Sequence, residues 1–452
     1  MSAIAPPLAF QPPRIYVLDD VWEKPSAARR AERVAAACPA AEVRTFSYDD
    51  LPDIVVEEGW NRSQKMGGME TVPPPIPILG LFRFDRDAVA RDAARMQEAY
   101  TGGGGFPFSL AAGGGAFSFF CSGRTELKPN PEHVCRPQWR LHQGRGCPHQ
   151  CAYCGLGDYL ISHVNTEEYI DALAELLRRN PWQKTWLYDD VMDVPTLEPQ
   201  LDSLAPLMRF FKSTGDRYLI IHTKTDRAEA FLETGAPENT IIAWSLSGSI
   251  QSRKLEPETG TTEGRIEAAR RCQEEGITVR FKFKPIIPVP NWREDAEQAV
   301  DLALSRTRPD NLSLTMLMWM QVEQLRECIS SDLIDPVFLQ AAEEVKEEMR
   351  GIRFAPFPHH LREELYRHYL NAIHQRDSDI PVTICTESLE MWKSMAGDLG
   401  YSPSDYVCGC GAGATPDLQR LETNPWIDAR PAVHLDGRPV FAQEENEYHM
   451  IT

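Results

Sequence analysis

Residues 139–159 read WRLHQGRGCPHQCAYCGLGDY and contain three cysteines, Cys147, Cys151 and Cys154, in a C-x3-C-x2-C spacing. Three thiolates this close together can bind a cubane cluster and leave its fourth iron without a protein ligand, since cysteine spacing reports cluster type. A zinc site typically combines paired cysteines with a further ligand from a second site. His149 lies inside the loop and is too constrained to be that ligand. The stretch therefore predicts an iron–sulfur site, with three unrelated buried cysteines as the alternative.

The full pattern C-x3-C-x-Tyr-C, with Tyr153 before the last cysteine, resembles the signature of radical S-adenosylmethionine (SAM) enzymes. The resemblance implies that Cys147, Cys151 and Cys154 bind a [4Fe-4S] cluster whose open iron takes the amino and carboxylate groups of SAM. It also implies an oxygen-sensitive enzyme and an external electron donor of the flavodoxin or ferredoxin type. The electron cleaves SAM, usually to a 5′-deoxyadenosyl radical, so the cofactor carries the chemistry. Tyr153 is expected to pack along the adenine or shield the cluster, or else to be a core aromatic.

Composition narrows the class of protein. The chain has 452 residues, of which 42% are hydrophobic, which allows two or three domains with a sizeable core. It has no long apolar run to span a membrane and no signal-like start, and its eleven cysteines indicate reduced thiols. We therefore expect a cytoplasmic protein. The acidic balance, 47 basic against 66 acidic residues, disfavours nucleic acid and favours a small-molecule substrate.

From residue 136 onward, strand patterns alternate with helical patterns. The predicted strands are 139–143, 184–189, 218–223, 240–246, 278–287 and 311–319, and the predicted helices are 166–179, 198–213, 227–234, 261–275 and 293–306. Alternation of this kind predicts a parallel sheet with outer helices. The stretch is too short for eight units, so the predicted fold class is α/β, with a partial (β/α)6 radical SAM barrel. Its site is expected at the C-terminal ends of the strands.

The rest of the chain divides into flanking units. The predicted domains are a small N-terminal α/β unit (1–84), a Gly-rich connecting segment (85–135), the partial barrel (136–325) and a mostly helical C-terminal region with a C-x-C tail (326–452). Within these, 73–80 is interpreted as a proline-rich connection and 381–387 as one more strand. The glycines at 102–105 and 113–115 lack the lysine and hydroxyl of a phosphate-binding loop. They are interpreted as a mobile loop or lid.

The order of segments after the cysteines resembles the spore photoproduct lyase group of radical SAM enzymes, which repair a thymine dimer in spore DNA. The densest match runs from Ser245 to Ala269 and includes LEPETGTTEGRIEAA, beside the TKTD that contains Lys224. The resemblance implies that Lys224 and Ser245 hold the SAM carboxylate. An ammonium and a hydroxyl at strand ends can both pair with a carboxylate. Ser247 or Ser249 would replace Ser245 if the strand register shifts by two.

Two positions depart from the lyase pattern. The stretch WLYDDVMDVPTLEP carries Asp189, Asp190 and Asp193, where the lyase has a cysteine that returns a hydrogen atom to the product radical. Gly155 follows Cys154, where the lyase has a tyrosine. Among the three aspartates, Asp190 is the candidate for binding a polar or cationic substrate or the ribose hydroxyls of SAM. Helix capping and solvent exposure are the alternatives.

Near the C-terminus, VCGCG places Cys408 and Cys410 one residue apart. Adjacent exposed thiols are prone to oxidation, so such a pair in a reduced protein suggests a use. The pair could donate a hydrogen atom, ligate a second metal or hold a thiophilic substrate such as trivalent arsenic, because soft thiolates bind soft ions. Cys385 could supply a third sulfur. A flexible tail with incidental cysteines is the alternative.

These observations predict a radical SAM enzyme, either a lyase or a transferase, that acts on a small molecule. The specific hypothesis is transfer of a 3-amino-3-carboxypropyl group from SAM to arsenite, with Cys408, Cys410 and Asp190 as catalytic residues. One alternative is a DNA pyrimidine-dimer lyase of the spore photoproduct lyase type. The other is a non-enzymatic iron–sulfur sensor, which would neither bind nor cleave SAM.

Overall fold

The computed structural model describes residues 8, 10–60, 75–120, 133–156, 159–422 and 432–440. The strands in these ranges are β1 (Arg14–Leu18), β2 (Glu42–Phe46), β3 (Ile76–Gly80), β4 (Phe117–Phe120), β5 (Gln138–Leu141), β6 (Gly144–Arg145), β7 (Tyr159–His163), β8 (Thr185–Tyr188), β9 (Tyr218–Thr223), β10 (Thr240–Leu246), β11 (Thr278–Ile286), β12 (Leu312–Met316) and β13 (Val382–Ile384). They form two mainly parallel sheets in a mixed α/β fold.

The helices lie between these strands and pack on the sheets. They are α1 (Asp19–Glu23), α2 (Pro25–Ala36), α3 (Leu51–Glu57), α4 (Arg86–Ala99), α5 (Phe108–Ala111), α6 (Thr166–Arg179), α7 (Leu204–Ser213), α8 (Glu229–Leu232), α9 (Ser249–Leu255), α10 (Thr262–Glu274), α11 (Trp292–Arg306), α12 (Val322–Cys328), α13 (Pro336–Glu344), α14 (His359–His374) and α15 (Leu389–Leu399). None of the helices in the described ranges is long and apolar enough to cross a membrane.

The first sheet has the strand order β2-β1-β3-β7-β6, and only β6 runs antiparallel to its neighbour. All five residues of β3 are buried between β1 and β7. The predicted proline-rich connection at 73–80 is therefore wrong for Ile76–Gly80, because burial of Ile76, Ile78 and Leu79 favours a strand despite Pro77. Residues 73 and 74 lie outside the described residues.

Strand β7 directly follows the cysteine loop and was not predicted. It pairs in parallel with β3, from Ile76 opposite Tyr159 to Gly80 opposite His163. All five of its residues are buried, so it lacks the polar–apolar alternation that marks a half-buried strand in a sequence. The chain thus returns to the first sheet in the middle of the predicted barrel segment. The predicted domain boundaries remain predictions.

The second sheet has the order β13-β12-β11-β10-β9-β8-β5-β4, and every neighbouring pair is parallel except β4 with β5. This confirms the predicted parallel α/β organisation, and β13 is the extra strand expected at 381–387. Helix α7 begins at Leu204 rather than at 198. The carboxylate of Glu198 accepts hydrogen bonds from the backbone N–H groups of Ser203 and Leu204, which caps the helix there.

One face of the second sheet is polar. Paired residues of a parallel sheet share a face, and Ser245 pairs with Lys282, which pairs with Ser313. We call this surface the polar face; its polar members include Arg140, His222, Ser245, Arg280, Lys282, Lys284 and Ser313. The opposite face carries buried apolar side chains such as Trp186, Trp244 and Phe281, as expected for a surface covered by helices.

Residues 403–415 cross the strand starts at the N-terminal edge of the second sheet. The carbonyl of Ala412 accepts hydrogen bonds from Lys184 N (2.8 Å) and Thr185 N (3.0 Å). Arg280 donates to the carbonyl of Ala414 (2.7 Å), and Asn311 to that of Val407 (3.0 Å). The C-x-C sequence therefore lies in a buried closing segment.

The second glycine group of the predicted lid forms a packed turn instead. The carbonyl of Gly113 accepts a hydrogen bond from Arg83 N (2.9 Å), and Gly114 N donates to the carbonyl of Ser109 (2.9 Å). These bonds hold the turn between α5 and β4 against the end of β3. For 113–115 the lid interpretation is wrong, because the turn's backbone groups are already paired.

Candidate functional site

Two glycines fix the start of the cysteine loop against β7. A Cβ atom at Gly144 would lie 1.8 Å from the carbonyl oxygen of Ile161. Gly146 has φ +114°, and a Cβ there would lie 2.2 Å from the carbonyl oxygen of Tyr159. Only glycine permits this approach and this backbone conformation. The QGRG sequence therefore sets where Cys147 enters the site.

His149 anchors the middle of the loop to the second sheet. Its Nδ1 lies 2.6 Å from the carbonyl oxygen of Glu258, and its Nε2 lies 2.8 Å from Asp193 Oδ2. Asp193 also accepts hydrogen bonds from Thr223 Oγ1 (2.8 Å) and Lys224 N (2.7 Å). Both ring nitrogens of His149 therefore have hydrogen-bonding partners within the protein.

The three loop thiols fit a multi-iron cluster better than a single ion. Each cysteine is half-buried, and their charges affect one another. Burial raises the pKa of Cys147, and Asp193, Cys151 and Cys154 raise it further. Burial also raises the pKa of Cys151 to about 12. The three sulfurs do not all lie within 4.8 Å of one another, as the ligands of one ion would.

A buried carboxylate network adjoins the loop. Glu256 Oε1 accepts hydrogen bonds from Lys224 Nζ (2.7 Å) and the Tyr153 hydroxyl (2.5 Å), while Glu256 Oε2 accepts one from Arg265 Nη2 (2.6 Å). Burial raises the pKa of Glu256, but Lys224 and Arg265 outweigh it and hold that pKa well below its usual range. The network keeps the Lys224 ammonium beside the Tyr153 ring, 5.0 Å from its centroid.

The three candidate serines have different partners. Ser245 lies near the end of β10 on the polar face, and its carbonyl accepts a hydrogen bond from Arg265 Nη1 (2.9 Å). Ser247 Oγ donates to Glu256 Oε2 (3.1 Å), which joins it to the network. Ser249 bonds instead to Asp295 through N and Oγ. The roles of Lys224, Ser245 and Tyr153 toward SAM remain predictions.

The aspartates after β8 lie in a polar cluster. Asp189 accepts hydrogen bonds from Gln143 N (2.8 Å) and Val191 N (2.9 Å), and His142 Nδ1 lies 2.9 Å from its Oδ1. Asp190 forms an ion pair with Arg140 and is 23% exposed. Burial raises the pKa of Asp190, but the charges of Arg140, His142 and His222 have the larger effect and leave that pKa below its usual value. Asp190 is therefore a carboxylate held by Arg140.

The ligand atoms of His142, Asp189 and Asp190 lie within 4.8 Å of one another, the arrangement of a possible cation site. The second nitrogen of His142, Nε2, lies 2.7 Å from Ser118 Oγ. These groups already pair with protein donors, so the hydrogen bonds account for the cluster without an ion.

Cys408 and Cys410 form a buried thiol pair, with 3.8 Å between the two Sγ atoms. Lys282 Nζ lies 3.7 Å from Cys410 Sγ and 3.1 Å from His222 Nε2. The hydrogen bond between the thiols raises the pKa of Cys408, and burial adds to this. The same bond, with Lys282 and His222, lowers the pKa of Cys410 despite its burial. Lys282 therefore favours the negative charge on Cys410 and the hydrogen on Cys408.

The structure thus divides the predicted site residues between two groups. Tyr153 and Lys224 belong to the network at the cysteine loop, whereas Cys408 and Cys410 belong to the polar face with Lys282 and His222. Sequence reasoning assigned no role to Glu256, Arg265, His222 or Lys282. The first two stand inside the quoted stretch LEPETGTTEGRIEAA, and the alternation in TVRFKFK marks Lys282, so both signals were available.

A three-cysteine loop beside a buried lysine–glutamate pair, at the C-terminal edge of a parallel α/β sheet, is the arrangement that the resemblance to radical SAM proteins implies. The family model for spore photoproduct lyase matches residues 136–357, which include the loop, Lys224 and Glu256. Over these residues, just under half of the chain, the protein is similar to the spore photoproduct lyase group of the radical SAM superfamily. The predicted cofactors, a [4Fe-4S] cluster and SAM, are those of this group. No curated protein matches the chain.

Solved structures of spore photoproduct lyase share the fold. A variant with bound AdoMet and dinucleoside spore photoproduct has a TM-score of 0.57 and 14% identity, over 84% of this chain and 100% of that one. A complex with dinucleoside spore photoproduct has a TM-score of 0.56 and 14% identity, over 83% and 98% of the two chains. At this identity the likeness concerns the fold.

The prediction that nucleic acid is an unlikely partner is wrong, since the similar solved structures hold a dinucleoside spore photoproduct. The net charge of −19 sums over the whole surface and says little about one site. A dinucleoside also brings few phosphates, so counterion release contributes little to its binding. In this chain the cations Arg140, Lys282 and Lys284 are concentrated on the polar face.

Proposed function

We propose that the protein is a radical SAM lyase acting on a pyrimidine-dimer lesion in nucleic acid. The observation that carries the proposal is a buried thiol, Cys408, whose partner Cys410 lies 3.7 Å from Lys282 on the polar face of the sheet whose edge carries the cysteine loop. The match of residues 136–357 to the lyase family supports this reaction over aminocarboxypropyl transfer to arsenite. Lyase chemistry therefore replaces the transferase hypothesis.

The second sheet would form the partial barrel that this chemistry needs. We propose that it curves with the polar face inside, because charged side chains such as Lys282 are buried there and apolar ones face the helices. Residues 403–415 would close the N-terminal end of this barrel through their bonds to Lys184, Thr185 and Arg280. The substrate would then enter from the opposite end, beside the cysteine loop.

The cofactors would be held by the residues that the sequence predicted. Cys147, Cys151 and Cys154 would bind the cluster, Lys224 and Ser245 the carboxylate of SAM, and Tyr153 the adenine. When bound, the cluster and SAM supply one electron and the 5′-deoxyadenosyl radical that takes a hydrogen atom from the substrate. The chain's own contribution is position, because Glu256 fixes both Lys224 and Tyr153 by hydrogen bonds.

Cys408 would return the hydrogen atom. Its S–H bond breaks as the C–H bond of the product forms, which leaves a thiyl radical on Cys408. One electron from the external donor and one proton then restore the thiol. Lys282 holds the neighbouring Cys410 as a thiolate, which keeps the hydrogen on Cys408. A thiol from the closing segment would thus replace the cysteine that the lyase carries after its second strand.

Asp190 would bind the substrate rather than take part in the radical step. Arg140 orients its carboxylate, and its side chain is 23% exposed, so an oxygen can accept a hydrogen bond from a sugar hydroxyl or a base N–H of the dinucleoside. None of the ten cysteines that the structure describes forms a disulfide bond. This supports a reducing compartment and hence the predicted cytoplasmic location.

The test is anaerobic incubation of the reconstituted, reduced protein with SAM and dinucleoside spore photoproduct in D2O. We expect 5′-deoxyadenosine and repaired nucleoside product carrying deuterium from the exchangeable thiol, measured by mass spectrometry. Cys408→Ala should remove the deuterium label while SAM cleavage continues. Cys272→Ala is the matched control, because Cys272 is also buried but lies in α10.

Three outcomes would contradict the proposal. Methylthioadenosine formed in the presence of arsenite would instead support the aminocarboxypropyl transferase. A protein that does not cleave SAM would be a sensor. Labelled product from Cys408→Ala would assign the hydrogen donor to another residue.

A further inference from the structure

Trp319 is an exposed aromatic residue just beyond the C-terminal end of β12. Its exposed fraction is 45%, whereas Met318 and Met320 on either side are buried. Lys284 Nζ lies 5.5 Å from the centroid of the indole, and Arg353 Cζ lies 5.3 Å from it. Two cations thus meet one solvent-exposed ring.

The backbone holds this ring outward. Trp319 has φ +63°, the left-handed region that bulky residues rarely occupy. Its N–H donates to the carbonyl of Arg353 (2.9 Å), and Leu317 N donates to the carbonyl of Ile286 (2.9 Å). Strained conformations of this kind are typical of binding and catalytic loops, where surrounding bonds over-determine them. The loop is therefore built to expose the indole.

The exposed indole lies at the functional edge of the sheet. The loop after β12 is at the C-terminal edge, where parallel strands carry their sites. Lys284, which contacts the indole, belongs to the polar face and lies 4.0 Å from Cys385 Sγ. Lys284 therefore lies between the indole and Cys385, which follows β13.

An indole beside two cations matches the chemistry of a nucleotide. Nucleobases stack on exposed aromatic rings, and a guanidinium and an ammonium pair with phosphate oxygens. An aliphatic or acidic small molecule would use only part of this surface. The combination favours a ligand that carries a planar base and a phosphodiester.

We propose that Trp319 is a stacking platform for one base of the substrate, and that Lys284 and Arg353 bind the phosphate that joins its two nucleosides. The inference rests on the proposed lyase function and assigns the part of the chain that recognises the lesion. Stacking tolerates different bases, so the platform would select a dinucleotide unit rather than a sequence.

The test is isothermal titration calorimetry of dithymidine monophosphate into the cluster-loaded protein with SAM and no reductant. We expect Trp319→Leu to weaken binding roughly tenfold or more, as stacking losses do. Trp319→Phe, which keeps an aromatic ring, should lose less. Trp22→Leu is the matched control: Trp22 is 37% exposed, and its indole N–H bonds to Thr45 Oγ1 on the first sheet. Circular dichroism verifies that each variant is folded.

A change in the ligand separates stacking from general disruption. With a dinucleotide that lacks one base, Trp319→Leu should weaken binding much less than with dithymidine monophosphate. Lys284→Gln should reduce the slope of log Kd against log salt by about one, because one phosphate contact is lost.

The outcomes distinguish this inference from the proposed function. Equal affinities of the wild-type protein, Trp319→Leu and Trp319→Phe for the dinucleotide would overturn the stacking platform but not the proposed function. An equal loss of affinity by Trp319→Leu for the intact and the base-lacking ligand would overturn stacking. Wild-type protein that binds neither ligand would overturn both the platform and the nucleic-acid substrate.

Discussion

The carboxylate network and the thiol pair are both buried, yet they handle charge differently. In the network, the two oxygens of Glu256 meet Lys224 and Arg265, so its charge is compensated from both sides. In the thiol pair, two sulfurs lie 3.8 Å apart and the cation Lys282 lies beside one of them. The difference teaches that the first region fixes positions, whereas the second, under the proposed function, would supply a hydrogen atom.

The largest expected effect is loss of the iron–sulfur cluster from the cysteine loop, which adjoins the carboxylate network. Cys151→Ala should remove one of three cluster ligands, so that iron content falls and SAM cleavage becomes undetectable. Iron analysis and visible absorbance after anaerobic reconstitution measure this. Cys38→Ala is the control, because Cys38 is buried under the first sheet. Normal iron content in Cys151→Ala would contradict the proposal that the cysteine loop binds the cluster.

Next is the stability of the network itself. Glu256→Gln should lower the free energy of unfolding by about 3–5 kcal/mol, because it leaves Lys224 and Arg265 without a buried counter-charge. Glu267→Gln is the control and should cost less than about 0.5 kcal/mol, since its pair with Arg270 is exposed. Urea unfolding at neutral pH compares them. Equal losses of unfolding free energy in the two variants would show that the network stabilises the fold no more than a surface ion pair does.

The two sheets can be compared through their buried histidines. Burial lowers the pKa of His222 and of His163 to about 4, against about 6.5 in the unfolded chain. The unfolded state therefore binds more protons between these values, and stability falls as pH drops from about 6.5 to about 4. The loss should reach about 3 kcal/mol for each histidine, at 1.36 kcal/mol per pKa unit.

Urea unfolding at pH 7 and pH 5 measures this dependence. His222→Gln should flatten it by about half and leave the contribution of His163. An unchanged slope would mean that the pKa of His222 is the same in the folded and the unfolded protein.

A smaller effect is expected on thiol reactivity. Lys282→Met should raise the pKa of Cys410, because the ammonium that stabilises the thiolate is lost. Alkylation of Cys410 by a small methylating reagent at pH 7 should slow several-fold, as followed by peptide mass analysis. Lys284→Met is the control, since that ammonium contacts Cys385 instead. Equal rates in both variants would assign the thiolate to a different neighbour.

The smallest effect is expected at Asp190. Asp190→Asn should change stability by no more than about 1 kcal/mol, because the ion pair with Arg140 is partly exposed. It should raise the KM for the dinucleoside a few-fold with little change in kcat. A large fall in kcat would instead give Asp190 a part in the radical step.

Many residues of the candidate site could be predicted from short stretches of sequence. The cysteine spacing, the strand ends near Lys224 and Ser245, and the C-x-C pair are all encoded within short stretches. Non-local pairing could not be predicted in this way. The place of β7 in the first sheet depends on β3, about eighty residues earlier. The charges of Cys408 and Cys410 depend on Lys282, more than a hundred residues away.

Net charge was the least informative quantity. It made nucleic acid look unlikely because it sums the charges of the whole chain. That sum hides the local positive charge of a sheet that buries Arg280 and Lys282. Local charge follows from strand alternation, and the sequence TVRFKFK carried that signal in β11.

The closing segment has a consequence for the order of synthesis on the ribosome. Lys184, Thr185 and Arg280 are translated long before residues 409–414, whose carbonyls they bind. During this interval the N-terminal edge of the second sheet is not yet covered by the closing segment, and the nascent chain has neither Cys408 nor Cys410. We expect iron delivered during that time to meet the loop cysteines before Cys408 and Cys410 are made. The late synthesis of the closing segment would thereby favour assembly of the cluster on the loop over binding of iron by the thiol pair.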